Sequence, residues 1–180
     1  APVLDLGCGT GKWGLKLLKA GYPTTFCDLS VNMLEEVSKK LETWKAQPDL
    51  AAKAGRGTVQ MADAVDLGVL PENHFQLVVA MGDVVSICSD PAGAIQQVRR
   101  VLAPGGMFVF TVDNHLAALD HFVESGNLEE LAAFVKTGQT HWLTQAQHEQ
   151  FDVHMFKPEE IETLVKARGF AVVSHIGKTI

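Results

Sequence analysis

The chain has 180 residues, of which 47% are apolar and 20% are charged, and its formal net charge is −6. This composition excludes an extended disordered chain, and the length suits one globular domain with a sizeable core. The acidic balance supplies no basic face for nucleic acid, and no apolar run approaches the roughly 20 residues that cross a bilayer.

Short apolar runs alternate with segments of helical periodicity along the chain. This alternation predicts an α/β fold built on a doubly wound, mostly parallel sheet with helices on both faces. The predicted strands are 2–6, 24–28, 57–61, 76–81, 107–112 and 170–175, and the predicted helices are 12–20, 30–46, 92–102 and 158–168.

A long stretch between the fifth and sixth predicted strands interrupts the alternation. Within this insertion, 113–157, the periodicity predicts helices over 115–124 and 128–137, and 147–156 alternates like an exposed strand. Asn127, followed by Glu130, is the expected cap of the second helix. An insertion at this point would lie over the carboxyl edge of the sheet, where ligands bind in such folds, so we expect a substrate cover.

The two ends of the chain lack obvious covering elements. There is no starting Met, and the first predicted strand begins almost at residue 1. We therefore expect one domain over 1–180 that is truncated at both ends, with an unusually compact complete domain as the alternative.

The three cysteines, Cys8, Cys27 and Cys88, stand at scattered spacings. An odd number in this arrangement predicts neither a disulfide framework nor a zinc site, and no metal is expected. A reducing, cytoplasmic location fits this pattern.

The strongest motif is a strand that runs directly into glycines and then into a helix. Residues 3–11 read Val-Leu-Asp-Leu-Gly-Cys-Gly-Thr-Gly. Glycine is needed where the chain turns tightly and where a ligand approaches bare backbone. Dinucleotide-binding loops of the G-x-G-x-x-G type require glycine at position 12, where this chain has Lys12.

The spacing D-x-G-x-G-x-G from Asp5 instead resembles motif I of the class I S-adenosylmethionine-dependent methyltransferases. The string Asp-x-Ser-x-x-Met-Leu that starts at Asp28 is similar to that family's segment after motif I. NAD enzymes also place a carboxylate at this strand end, and Asp28 could alternatively cap the helix near Ser30. The resemblance covers 1–112 and, less closely, 158–175, and it implies a Rossmann-like fold.

The resemblance also implies which residues hold S-adenosylmethionine. Asp28 would bind the ribose hydroxyls, Asp63 the adenine amino group, and Ala64 the face of the adenine ring. Asp63 as an exposed turn residue is the alternative, and Asp83 either adds negative potential or caps the next turn. The full implied set of cofactor-binding residues is Asp5, Gly7, Cys8, Gly9, Thr10, Gly11, Asp28, Leu29, Asp63, Ala64, Met81 and Gly82.

Methyl transfer from a sulfonium is an in-line displacement that needs a general base only when the acceptor starts protonated. His154 is the candidate base, since histidine is the usual neutral-pH base; a partly exposed loop histidine is the alternative. Trp142 could line an aromatic acceptor pocket or anchor the cover. The histidines of the insertion are His115, His121, His141, His148 and His154.

Together these features predict a methyltransferase that acts on a small-molecule O, N or C acceptor and releases S-adenosylhomocysteine. Neither a nucleic-acid nor a membrane partner is expected. One alternative is a non-catalytic module that binds an adenosyl ligand. Another is an NAD(P)-linked oxidoreductase, which Lys12 and the Asp63-Ala64 pair disfavour. A macromolecular acceptor is a further possibility, although no Asn-Pro-Pro-Tyr-like motif is present.

Overall fold

The computed structural model describes residues 1–119, 122, 124, 126–141 and 150–177. The chain divides into two compact units, Ala1–Val112 and Asp113–Ile180. The first unit contains a five-stranded sheet, and the second contains a two-stranded ladder and helices.

The first unit alternates strands and helices, which confirms the predicted α/β fold class. Its strands are β1 (Val3–Leu6), β2 (Thr24–Asp28), β3 (Gly57–Met61), β4 (Phe75–Ala80) and β5 (Leu102–Phe110). Its helices are α1 (Gly14–Lys19), α2 (Val31–Lys45), α3 (Pro48–Ala54), α4 (Val84–Ile87) and α5 (Pro91–Val101).

The strand order places a potential ligand site at one edge of the sheet. The order is β3-β2-β1-β4-β5, so the direction of chain progress reverses between β1 and β4. Every pairing is parallel, and Val3 pairs with Thr24 on one side and with Leu77 on the other. Ligands bind at the carboxyl ends of such strands, at the point where the order reverses.

Apolar packing fixes this sheet. β1 is buried at all of its residues, as expected for a central strand that is covered on both faces. Phe26 is fully buried, and complete burial of such a side chain contributes about 2–3 kcal/mol. Phe26 packs in an apolar cluster with residues of α1, α2 and the loop between β1 and α1. The cluster comprises Cys8, Leu18, Phe26, Leu34, Val37 and Leu41.

Three local features of the first unit differ from the sequence predictions. α1 begins at Gly14 rather than at residue 12, and the short helices α3 and α4 were not predicted. β5 begins at Leu102, before the Pro-Gly-Gly turn, and it continues through that turn. Its register against β4 shifts there, because Leu102 pairs with Phe75 whereas Met107 pairs with Leu77.

The second unit contains a short 3₁₀ helix (His115–Ala118), α6 (Leu128–Thr137), β6 (Gln139–His141), β7 (Asp152–His154) and α7 (Pro158–Lys166). The predicted cap of α6 is confirmed, since the Glu130 N–H donates to Asn127 Oδ1 at 3.1 Å. β6 and β7 are antiparallel. The buried apolar cluster of this unit is Ala118, Phe122, Phe134, Val153 and Met155.

Two predictions for the second unit need correction. The strand predicted over 147–156 is limited to Asp152–His154 among the described residues, and 147–149 lie outside them. The sixth strand predicted over 170–175 is wrong, because 170–177 carry no strand assignment. Val173 is 86% exposed, and within the described residues no strand of the unit pairs with this apolar run.

Candidate functional site

The loop between β1 and α1 turns through left-handed backbone at its glycines. The φ angle is 62° at Gly7, 51° at Gly9 and 85° at Gly11, a region that residues with a Cβ rarely adopt. A Cβ on Gly7 would also collide with the side chain of Val84. Both the backbone conformation and the close approach of α4 therefore require glycine at position 7.

Asp5, in β1, holds the start of α1. Its Oδ2 accepts a hydrogen bond from the Gly14 N–H at 2.7 Å, and the residue is only 2% exposed. Burial raises the pKa of Asp5 to about 7; the Gly14 hydrogen bond opposes this rise, and the negative charge of Asp28 adds to it. Asp5 thus positions the loop backbone from inside the protein.

Gly14, just after the glycine loop, is a position whose need for glycine the sequence motif did not reveal. A Cβ at this position would collide with the Phe26 ring and would lie 2.6 Å from Asp5 Oδ2. The need for glycine comes from residues that are distant in sequence, so spacing within the loop gives no signal for it.

Asp28, at the end of β2, ties that strand to the glycine loop. Its Oδ2 accepts from the Gly9 N–H at 2.8 Å, and its Oδ1 accepts from the Ser30 N–H at 2.9 Å. The cap of α2 is Ser30, whose Oγ accepts from the Met33 N–H at 3.4 Å. Each Asp28 oxygen retains a further acceptor position, which is what a ribose diol requires.

Two other aspartates follow strand ends. Asp63, after β3, accepts a hydrogen bond from the Val65 N–H at 3.1 Å, and Ala64 beside it is buried. Asp83, after β4, has a φ angle of 54° and precedes α4 without a side-chain capping bond. Asp83 is the N-cap residue of α4, as one of the two interpretations expected, but it caps through its backbone carbonyl, which accepts from the Ser86 N–H at 2.8 Å.

A cleft of about 230 Å³ opens at the carboxyl ends of β1 to β4. Half of the predicted cofactor residues line it, namely Gly7, Asp28, Leu29, Asp63, Ala64 and Gly82. The other half do not line it, namely Asp5, Cys8, Gly9, Thr10, Gly11 and Met81. The lining residues that the sequence did not predict are Leu6, Ala62, Val84, Ile87 and Cys88.

The unpredicted residues of the cleft come mainly from α4 and the position after it. The apolar run 77–88 resembles one long strand in the sequence, which conceals a helix as short as α4. Burial raises the pKa of Cys88 to about 11, so its thiol is neutral at pH 7 and provides a wall rather than a nucleophile.

These residues fit an adenosyl ligand. Gly7 and Gly82 expose bare backbone, Asp28 supplies acceptors at a strand end, and Leu29 and Ile87 supply apolar walls. Mostly apolar walls with a few placed polar groups are the usual form of a small-ligand site.

In the second unit, His154 uses both ring nitrogens within its own surroundings. Nδ1 lies 2.6 Å from Gln139 Nε2, and Nε2 lies 2.7 Å from Glu160 Oε1. The Gln139 amide donates to Nδ1, so the neutral ring carries its proton on Nε2 and donates it to Glu160. In this arrangement His154 has no acceptor nitrogen left for a substrate proton.

The other histidines of the insertion are separate from this network. His115 is buried and stacks on Phe134 with ring centroids 4.4 Å apart, and its Nδ1 has no hydrogen-bond partner within the described part of the chain. His141 Nδ1 lies 2.8 Å from Asp152 Oδ1 on an exposed surface. The predictions for His121, His148 and Trp142 fall outside the described residues.

The described residues contain no group of three or more His, Cys, Asp or Glu side chains that could hold a metal ion. Across the same residues, every helix is too short or too polar to cross a membrane.

Three curated relatives have related names. The chain is 35% identical over 109 residues to demethylmenaquinone methyltransferase of Leptospira interrogans, a match covering 59% of this chain and 41% of that protein. It is 30% identical over 175 residues to O-methyltransferase resE of Aspergillus sclerotiorum, a match that covers 95% of this chain and 55% of that protein. It is 27% identical over 133 residues to tRNA 5-carboxymethoxyuridine methyltransferase of Escherichia coli, a match that covers 73% of this chain and 47% of that protein. The chain thus spans about half the length of these relatives.

A solved structure shares the fold. The SAM-dependent methyltransferase of Methanosarcina mazei superposes with a TM-score of 0.74 at 21% identity, covering 93% of this chain and 78% of that one. In sequence, residues 3–106 match the family described as methyltransferase domain. Because that match includes the glycine loop, the strand-end aspartates and more than half of the chain, the chain belongs to the class I S-adenosylmethionine-dependent methyltransferase family.

Proposed function

We propose that the chain binds S-adenosylmethionine and transfers its methyl group to an O, N or C atom of a small-molecule acceptor. The observation that carries the proposal is the cleft in which glycine backbone, Asp28 and the apolar residues after β4 meet. Family membership supports the cofactor. The names of the resE and demethylmenaquinone relatives support a small acceptor.

The proposed roles follow the order of the strand ends. Asp28 accepts hydrogen bonds from the ribose hydroxyls, with Leu29 beside it, and the backbone of the glycine loop 7–11 borders the methionine end of the donor. Asp63 and Ala64 contact the adenine, and Met81 and Gly82 border the sulfonium. Asp5 acts from behind the loop by holding Gly14.

Methyl transfer requires the protein mainly to position the donor and to surround it with apolar walls. When bound, S-adenosylmethionine supplies a methyl group on a sulfonium sulfur, which is a good leaving group. The chain orients the donor through Asp28 and the loop, and Val84 and Ile87 contribute apolar walls to the cleft.

A base enters only for a protonated acceptor. Within the proposal, residues 113–157 cover the acceptor, and His154 serves as base after the Gln139 amide leaves Nδ1. Glu160 would then keep the ring oriented through Nε2, an arrangement typical of a base and its positioning carboxylate.

The proposal is tested first by calorimetric titration of the chain with S-adenosylhomocysteine and, in parallel, with NAD. Selective binding of the former is expected, followed by methylation in a screen of small phenols, amines and quinols. Selective binding of NAD would contradict the proposal in favour of an oxidoreductase. Donor binding without turnover would favour a non-catalytic module, and methylation of tRNA alone would overturn the small acceptor.

The Asp28→Ala variant tests the binding geometry. We expect donor affinity to fall by about 1–3 kcal/mol, because a charged hydrogen-bond partner of the ribose is lost. Asp66→Ala is the matched control, since Asp66 also accepts a backbone N–H, from Gly68 at 3.0 Å, but lies outside the cleft. If a folded Asp28→Ala variant bound the donor as tightly as the wild type does, Asp28 would not be a ligand of the ribose.

A further inference from the structure

Two carboxyl groups hold backbone N–H groups within the glycine loop and at the start of α1 just after it. Asp5 accepts the Gly14 N–H at 2.7 Å, and Asp28 accepts the Gly9 N–H at 2.8 Å. The backbone that borders the cleft is therefore held by two carboxyl groups, one of them almost completely buried.

Lys40 reaches the glycine loop, but its Nζ donates to the Thr10 carbonyl oxygen at 2.6 Å and not to either carboxylate. Within the described residues, the ion pairs of lysine and arginine lie elsewhere, as in Lys39–Glu36 and Arg100–Glu72. The titratable groups that act on Asp5 and its neighbours are Asp28 and the thiols of Cys8 and Cys27. Burial raises the pKa of both thiols, that of Cys27 to about 12, so they are neutral at pH 7 and offer no positive charge.

In the ligand-free protein, the ionised form of Asp5 is therefore destabilised relative to the protonated form. Its burial raises its pKa to about 7, and the negative charge of Asp28 adds to this rise. A positive charge in the neighbouring cleft would favour the ionised form, because opposite charges within a poorly solvated region attract strongly.

We infer that Asp5 is a positioning residue through which the cleft distinguishes the cationic methyl donor from its neutral product. The inference rests on the proposed function. Asp5 acts through the loop backbone that it holds at Gly14.

The change of charge on methyl transfer determines which of the two ligands, donor or product, an ionised Asp5 favours. A lone pair on the acceptor forms the new bond to the methyl carbon, and the sulfur keeps the electron pair of the broken S–C bond. The sulfur thereby loses its positive charge, which passes to the methylated acceptor and leaves it as a proton, through His154 or directly to solvent, where the acceptor carries one. Asp5 then takes up a proton from solvent, and the loop is held less favourably around the product than around the donor.

The experiment is calorimetric titration of S-adenosylmethionine and S-adenosylhomocysteine into the chain at pH 6, 7 and 8. Each titration at pH 7 is repeated in two buffers of different ionisation enthalpy, which gives the number of protons exchanged. The variants are Asp5→Asn, which keeps an oxygen acceptor for the Gly14 N–H, and Asp49→Asn, an exposed control in the first turn of α3.

For the wild type and Asp49→Asn, we expect the donor to release more protons than the product at pH 7. We also expect the donor-to-product affinity ratio to rise from pH 6 to pH 8, by a factor on the order of ten, as for one charge pair roughly 12 Å apart at an effective dielectric constant of about 20. Asp5→Asn should flatten this rise and remove the difference in released protons. Protons that belong to the ligands cancel in the comparison between wild type and variant.

The outcomes separate the inference from the proposed function. If both ligands bind and Asp5→Asn retains the pH dependence of the wild type, the inference is overturned while the proposed function stands. If the folded wild type binds neither ligand, the proposed function fails. Thermal unfolding of each variant confirms that the proteins compared are folded.

Discussion

The two units of this chain use their polar side chains differently. In the first unit, buried or half-buried carboxylates accept backbone N–H groups, as Asp5 does from Gly14 and Asp28 from Gly9. In the second, histidines pair with carboxylate side chains nearer the surface, as in His154–Glu160 and His141–Asp152. Contacts of the first kind fix the path of the backbone, whereas those of the second kind join one side chain to another.

This difference follows the extent of the family match, which covers 3–106 and ends before the second unit begins. A cofactor site made from backbone requires a defined loop path, and that requirement leaves glycines and strand-end aspartates as sequence signals. A surface built from side-chain pairs leaves no comparable spacing. The first unit accordingly carries the family signature, and the second leaves the acceptor undefined.

The largest expected effect concerns Asp5 in the ligand-free chain. Its pKa is raised on folding from 3.8 to about 7, so the folded state binds its proton more tightly than the unfolded state does. The stability from this group is complete below about pH 4 and is lost as the pH rises to about 7. A shift of about three units corresponds to a loss on the order of 4 kcal/mol.

Asp5→Asn removes this titration and keeps an acceptor for Gly14. We expect the variant to gain up to about 4 kcal/mol over the wild type at pH 8 and much less at pH 4. Urea unfolding at the two pH values measures the difference. A stability gain of equal size at pH 4 and pH 8 would show that Asp5 is not the titrating group. The contrast between buried carboxylates in the first unit and surface pairs in the second would then have no support from stability.

The next effect tests whether the first unit depends on close backbone approach. Gly14→Ala places a Cβ against Phe26 and Asp5 Oδ2, and we expect a loss of about 2–3 kcal/mol from overpacking and a weakened hydrogen bond. Gly55→Ala is the matched control, because Gly55 has an ordinary φ of −64° and its nearest neighbours to a Cβ are at 3.8 Å. Chemical denaturation should separate the two variants, and equal stability would contradict the packing argument.

The sequence predicted those parts of the fold whose causes are local. The bounds of β2 and β3 were correct, and the cap at Asn127 followed from a short-range pattern. The failures depend on tertiary contacts. α4 continues the apolar run of β4, and the run 170–175 has strand-like residues but pairs with no strand in the described part of its unit.

The candidate site divides in the same way. Positive φ angles and strand ends account for the predicted glycines and aspartates, because a turn or a strand terminus leaves a mark in the sequence. Gly14, Val84 and Ile87 acquire their roles only when α1 and α4 pack against β1 and β2, so no local pattern could have identified them.

The smallest expected effect lies in the second unit. His154→Ala removes the hydrogen bonds to Gln139 and Glu160 from a half-buried position, and we expect a local loss of about 1–2 kcal/mol. Hydrogen exchange should show faster exchange in 138–141 and 150–166, with amides in 3–106 unchanged, because the contacts of His154 lie within its own unit.

His141→Ala provides the control for this last prediction. Its pair with Asp152 is of similar length but is exposed to solvent, so its loss should cost no more than about 0.5 kcal/mol. Equal acceleration of exchange by the two variants would mean that burial does not distinguish the two pairs. Acceleration in 3–106 by His154→Ala would contradict the expectation that the effect of the variant stays within 138–141 and 150–166. Faster exchange confined to the second unit would instead leave the base role of His154 as a separate question, decided by turnover on a protonated acceptor.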